Sequence, residues 1–390
     1  MSLASSRFLS GGFRPFFLFG ALHAALMIGL WVPWFLGFAH IPSALSPVVW
    51  HQHELLFGFV PAIIGGFLLT AVPNWTGRPA LKGAPLLALV LLWLAGRLAI
   101  TTSETIGLTA AAVTSLLFLP AFVLLILREL IAGKNRRNYK VAAILGLLFA
   151  AQVLFFHEYT RFGRIELASR MAIATVIFLI AVIGGRIIPT FTGNWLRRNN
   201  PGQEPPPFGA FDLAAMGVSA LALVLWAVSA RAEALAPFAG TACLAAGLFQ
   251  FTRQLRWKPF RTRREPLVAM LHVAFTFVPL GFLLMGAGLL SEDAGLASAG
   301  LHGWTAGGIG AMTLAVMTRA TRGHSGQPLT APLSTVLVIY APIVLAALAR
   351  IGAALLPSWT MLLLPLAALG WIVAFLGYAG LYGPLILRKG

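Results

Sequence analysis

The chain has 390 residues, 59% of them hydrophobic and only 10% charged, with a mean hydropathy of +0.87. That balance excludes an ordinary soluble globular domain and points to an integral membrane protein. The net charge of +17 does not indicate nucleic-acid binding, because the basic residues are scattered over short loops and form no single patch.

Apolar runs of about 20 residues predict spans near 17 to 39, 48 to 73, 84 to 101, 105 to 127, 141 to 157, 168 to 190, 209 to 230, 235 to 252, 267 to 290, 298 to 318, 330 to 355 and 359 to 384. The first is too long for a secretory signal, contains Trp31 and Trp34, and is not followed by a small-residue cleavage pattern. The termini and every second loop hold the Lys and Arg residues, from Arg7 and Arg14 at the start to Arg388 and Lys389 at the end. The exceptions are Arg97, Arg161, Arg164, Arg170, Arg231 and Arg350. The positive-inside rule then places both termini in the cytoplasm and requires an even number of spans. The expectation is an all-α, multi-pass protein of twelve transmembrane helices, surrounded by lipid in the bacterial cytoplasmic (inner) membrane. Cys243 is the only cysteine and lies within a span, which excludes disulfides, thiolate metal sites and iron–sulfur clusters built within one chain.

Three segments resemble one another: "IGGFLLTAVPNWTGRP" from Ile64, "IGGRIIPTFTGNWLRR" from Ile183 and "GIGAMTLAVMTRATRGHSGQP" from Gly308. They close the second, sixth and tenth spans, with Gly66, Gly185 and Gly310 roughly 120 residues apart. The period of four helices predicts one polytopic domain of three four-helix units, at 13–130, 138–256 and 265–388, around a pseudo-threefold axis. The other reading is that Gly and Thr recur at tight helix contacts. The shared pairs Asn74-Trp75 and Asn194-Trp195 favour a true repeat.

The repeat gives helices 2, 6 and 10 the same direction, and their outer ends carry the polar residues. Helix 2 opens with His51, His53 and Glu54, helix 10 with His302, and helix 5 closes at His157 and Glu158. At 100° per residue His51, Glu54, Gly58 and Gly65 fall within about 60° of one another, while His53 points elsewhere. His302 heads a comparable stripe of small residues. A histidine followed by glycines suits a flat macrocycle or a close helix approach. Two such histidines on two helices are a candidate pair of axial ligands for a haem iron, although a histidine near a helix end also serves as a headgroup or interhelical partner. Arg161, Arg164 and Arg170 stand on an otherwise uncharged side, as clamps for haem propionates or as headgroup anchors. His23 and His272 read as packing histidines, and His40 as a loop residue. His324 is placed on the opposite side from His51.

The stretches "GFRPFFL" at Gly12, "WHQHELLFGF" at Trp50, "GGFLLTAVPNWTGRP" at Gly65 and "LHGWTAGGIGAMTLAVMTRATRGHSGQPL" at Leu301 resemble the NnrS family over nearly the whole chain. The resemblance implies a polytopic membrane protein that binds haem and copper and is linked to nitric oxide metabolism and nitrosative stress. It makes His51, His53, Glu54, His302 and His324 signature positions. A fainter resemblance, at "FVPAIIGGF" from Phe59, is to the catalytic subunit of haem-copper oxidases and nitric oxide reductases, where histidines of helices 2 and 10 hold a haem. The chain departs from that pattern: helix 7, "AAMGVSALALVLWAV", has no histidine and helix 10 has one. If copper binds, His53, His157 and a methionine are what remain near it.

The leading expectation is therefore a membrane redox protein with haem of the b type, copper as a second candidate metal, and nitric oxide or a redox partner such as quinol as its counterpart. Because a bis-histidine haem is coordinatively saturated, electron transfer suits it better than gas binding. The alternatives are a twelve-helix transporter or metal- or haem-handling carrier, and a non-catalytic gas sensor.

Overall fold

The computed structural model describes residues 7–387. Arg388 and Lys389 of the charge pattern, and the end of the third four-helix unit at 388, lie outside the described residues. Helix accounts for 84% of the structure and no strand occurs among the described residues, which settles the all-α class.

Among the described residues, eleven helices are long and apolar enough to cross a membrane: α1 (Phe13–Phe35), α2 (Pro47–Thr76), α3 (Ala84–Thr101), α4 (Leu108–Ala132), α5 (Arg136–Phe162), α6 (Glu166–Asn199), α7 (Ala210–Val228), α8 (Glu233–Arg256), α9 (Pro266–Ser291), α11 (Leu333–Leu355) and α12 (Pro357–Leu387). The chain is thus a multi-pass membrane protein. The tenth helix in chain order, α10, runs through Ala294–His302, Gly303–Ala311 and Met312–His324. It is not one of the eleven, because His302, Trp304 and the glycines at 303, 307, 308 and 310 dilute its apolar character.

Most helices extend beyond the apolar windows read from sequence, for physical reasons visible at their ends. The window for the first span excludes Arg14, but α1 includes it: its guanidinium is buried and donates to the carbonyl of Ile386 at 2.5 Å, one of the last carbonyls of α12. Arg253 reads as a loop charge and is instead a buried residue of α8, paired with Asp212 of α7 at 2.9 Å. α2 stops at Gly77, which takes the left-handed conformation at φ 69°. Asp293 starts α10 by accepting from the backbone N–H groups of Gly295 and Leu296 at 2.8 and 3.0 Å.

Two compact units divide the described residues: 7–172, 317–328 and 375–387 form the first, and 173–316 and 329–374 the second. The break falls inside α6, so the first unit takes in α5 as well as α1 to α4, and its borders differ from those of the four-helix units expected from the repeat. In the first unit α1 and α2 approach through glycine. A Cβ added at Gly12 would sit 2.4 Å from Leu69, at Gly20 2.6 Å from Ile63 and at Gly66 2.5 Å from Phe17. In the second unit α9 and α10 are held together the same way. A Cβ at Gly300 would lie 2.4 Å from the backbone nitrogen of Met285, and one at Gly307 2.3 Å from the Phe277 ring.

Among the described residues, three π-helical stretches interrupt the α geometry: Glu54–Phe59 in α2, Gly303–Ala311 in α10 and Val336–Tyr340 in α11. Each adds residues to a turn and re-aims the side chains that follow. The stretches in α2 and α10 both begin just after the histidines singled out in the sequence.

The glycine contacts are testable. Gly300→Ala meets backbone that cannot move aside, and its cost is about 1–3 kcal/mol. Gly146→Ala, in α5 with nothing within 4 Å of the new methyl, gains up to about 1 kcal/mol of helix propensity. Thermal unfolding in a mild detergent should show the first variant melting lower and the second unchanged or higher.

Candidate functional site

The N-terminal end of α2 places two different environments within four residues. Pro47 starts the helix, and His51 comes up half-buried, its imidazole parallel to the Trp31 indole of α1 at 4.0 Å and 21°. Trp31 in turn stacks on Phe35 at 5.1 Å. His53 and Glu54, by contrast, are completely buried in the first unit.

Glu54 is the centre of the buried group. Its Oε1 accepts from Arg97 Nη1 of α3 at 2.6 Å and from His53 Nδ1 at 2.9 Å. A carboxylate at this depth costs several kcal/mol unless it is paired, and the Arg97 guanidinium supplies the opposite charge. Arg97 Nη2 then donates to Ser115 Oγ of α4 at 3.1 Å, and Gln152 Nε2 of α5 donates to the same oxygen at 3.0 Å. With both acceptor positions of the hydroxyl filled, its one hydrogen is left for His53 Nε2 at 3.3 Å. His53 is therefore assigned as the neutral tautomer with the proton on Nδ1. The cluster carries one positive and one negative charge and ties together α2, α3, α4 and α5.

His23 of α1 closes the group from the remaining side. Its Nε2 donates to the backbone carbonyl of Glu54 at 3.2 Å, and Glu54 Oε2 stands 3.3 Å away without a hydrogen bond of its own, because the ring N–H is aimed at the carbonyl. A second carbonyl of the π stretch, that of Gly58, accepts from Trp93 Nε1 at 2.9 Å. Gly58 itself makes room for the charges: a Cβ there would lie 2.6 Å from Arg97 Nη1 and 2.8 Å from His23 Nε2. The Phe155 and Phe156 rings pack on His53 at 5.4 and 5.2 Å and seal the group from that side.

The structure brings His53 and Glu54 together and leaves other expected site residues apart from them. His51 belongs to the aromatic stack. His302, in the second unit, is half-buried with Nδ1 donating to the Ser298 carbonyl at 2.8 Å, a tautomer in which Nε2 carries the lone pair. His157 is exposed at the end of α5, its ring edge on Phe162 at 6.4 Å. Arg161 and Arg164 are exposed and Arg170 is half-buried. His40 lies in the loop after α1 and pairs with Glu104 at 3.0 Å. His272 is buried in the second unit, bonded through Nε2 to Thr192 at 2.9 Å. His324 sits at the end of α10, its ring 5.6 Å from that of Phe13.

Sequence reasoning missed Arg97, Ser115 and Gln152. Arg97 lies inside an apolar span, and an ionisable residue there is a candidate by default. It was counted with the loop charges because it is near a predicted helix end. Nothing in the spacing marks Ser115 or Gln152.

The profile of the NnrS protein family matches residues 7–389. The chain belongs to the NnrS family. Membership makes it a membrane protein linked to nitric oxide metabolism, in keeping with the apolar helices described above. Comparison with curated proteins gives no match.

Breaking the buried pair from one side leaves the other charge stranded. Arg97→Met alone should cost about 3–5 kcal/mol, and the double variant Arg97→Met/Glu54→Leu less than that single change. Comparing the melting temperatures of the two variants with that of the unaltered protein tests this. A double variant less stable than Arg97→Met would show that the pair is not the main tie.

Proposed function

We propose that this NnrS-family protein is a haem-binding redox protein of the bacterial cytoplasmic membrane, acting in nitric oxide metabolism or nitrosative-stress resistance. On this reading α10 is the twelfth crossing, both termini are cytoplasmic, and the repeat is organised as three four-helix units. His51 of α2 and His302 of α10 are the residues that would hold a haem near the periplasmic side.

The observation that carries the reading is the chemistry of the two histidines. Both are half-buried, His302 directly before a π stretch and His51 three residues before one, and His302 has its Nδ1–H committed to a backbone carbonyl, the usual way a protein orients an imidazole for a metal. His51 is oriented by the flat face of Trp31. Among the eight histidines this pairing of partial burial and orientation suits axial ligation, whereas His23, His53 and His272 have ring nitrogens committed to buried partners. Haem supplies one-electron chemistry when bound. The chain's own part is to orient the two imidazoles, and to keep Glu54 and Arg97 neutralised as a pair. Arg161, Arg164 and Arg170 are candidates for the propionates.

The donor set fits copper less well. No three His, Cys, Asp or Glu side chains converge on a metal position among the described residues, and both nitrogens of His53 are engaged. No step is assigned to copper.

His51→Ala and His302→Ala should each remove the Soret band of the purified protein without preventing membrane insertion, while His272→Ala keeps the spectrum. Unchanged spectra in both ligand variants would reject the assignment, and a purified protein without haem by pyridine hemochrome would reject the function.

A further inference from the structure

A second feature of the first unit lies at the other end of α2, far along the helix from the histidines. Where α2 and α4 finish, the chain leaves a cavity of about 280 Å³. One wall is apolar, formed by Leu69 and Val72 on the last turns of α2 and by Leu125 on α4. The rim is basic: Arg78 and Lys82 from the loop after α2, and Arg128 from the end of α4.

The cavity is built rather than accidental. Gly77, left-handed at φ 69°, turns the chain back over it, and the far end of the loop is tied down by the Gly83 N–H donating to the Leu9 carbonyl at 2.9 Å. The ends of α2 and α4 are locked by Asn135 Nδ2 on the Trp75 carbonyl at 2.5 Å. Gly133 lets them meet, since a Cβ there would sit 2.5 Å from Thr76.

Its charge is not balanced from within. Glu129 accepts from Arg78 Nε at 2.5 Å and from Arg128 Nη2 at 2.7 Å, so one carboxylate serves two guanidiniums. Lys82 is exposed and makes no ion pair among the described residues. Three cations against one anion leave a charge of two, set above a hydrocarbon wall at the end of two membrane helices. Small-molecule sites usually run from about 300 to 1,000 Å³, so the space is too small for a nucleotide-sized cofactor or for a pair of acyl chains. It does suit a phosphate with its glycerol, the chains remaining in the bilayer. A basic recess at the membrane boundary with an apolar floor is the complement of an anionic lipid.

We propose that the cavity at the C-terminal ends of α2 and α4 binds the headgroup phosphate of an anionic phospholipid, with Arg78, Lys82 and Arg128 on the phosphate and the Leu69–Val72 wall under the glycerol.

The test uses the full chain in a neutral detergent, titrated with dihexanoyl phosphatidylglycerol, with dihexanoyl phosphatidylcholine and with inorganic phosphate, binding being read by native mass spectrometry. Phosphatidylglycerol should bind in preference to the zwitterionic lipid. Lys82→Gln/Arg128→Gln should weaken it by about thirtyfold, as expected from the loss of two surface charges. Glu129→Gln, which removes the internal counter-ion, should tighten it several-fold, an outcome that misfolding cannot imitate. Equal binding of the two lipids, indifference to all these substitutions, or weaker binding by Glu129→Gln would overturn the proposal. Inorganic phosphate competing as well as the lipid would overturn it too, by assigning the recess to a soluble anion.

Discussion

The first unit is organised around one carboxylate. Glu54 is fully buried in a helix that crosses the membrane, and an ionised group there survives only with an opposite charge beside it. Arg97 provides the charge at Glu54 Oε1, its other terminal nitrogen donates to Ser115, and Gln152 donates to the same hydroxyl. Each added partner comes from a different helix. Satisfying one polar residue thereby fixes the placement of α2 to α5, with His23 adding α1. Hydrophobic packing cannot do this in lipid, where the tails outside are as apolar as the side chains inside.

The π stretch of α2 is part of the same requirement. Where the helix widens, the carbonyls of Glu54 and Gly58 accept from His23 and Trp93, and the side chains of His53 and Glu54 meet although they are neighbours in sequence. The absence of a side chain at Gly58 gives Arg97 and His23 their space. A comparable widening in α10 begins directly after His302 and is mostly glycine and alanine, with one aromatic, Trp304, whose Nε1 donates to the Val278 carbonyl at 3.1 Å. Two helices at corresponding places in the proposed repeat share the device even though their surroundings differ.

How much could be read from the sequence follows from which forces it encodes locally. Apolar length marks a span without reference to anything else, so eleven crossing helices were legible, and the repeated glycine at 66 is where α1 and α2 come close. Helix ends were less legible, because Arg14 and Arg253 look like loop charges until their partners, the Ile386 carbonyl and Asp212, are seen. The candidate site was half legible. His53 and Glu54 stood out as polar residues in an apolar stretch, but the angular argument that separated them assumed a uniform turn, and the π stretch breaks that assumption at Glu54. Arg97 was visible and misassigned. Ser115 and Gln152 were invisible, since a single Ser or Gln in a span carries no sign of the charge it will solvate.

The motif "HQHE" does two jobs, and separating them narrows the chemistry. His53 cannot serve as a metal ligand while its Nδ1 holds Glu54 and its Nε2 holds Ser115: metal on either nitrogen would strip a partner from a buried ion pair. His51, two residues earlier, lies outside that buried ion pair and sits on the flat face of Trp31. One histidine of the motif is therefore spent on holding the helices, and the other stands in the aromatic stack. The network also anchors the turn of α2 that carries His51. Its loss should loosen that turn as well as the fold, so the two histidines, though in different surroundings, are physically linked.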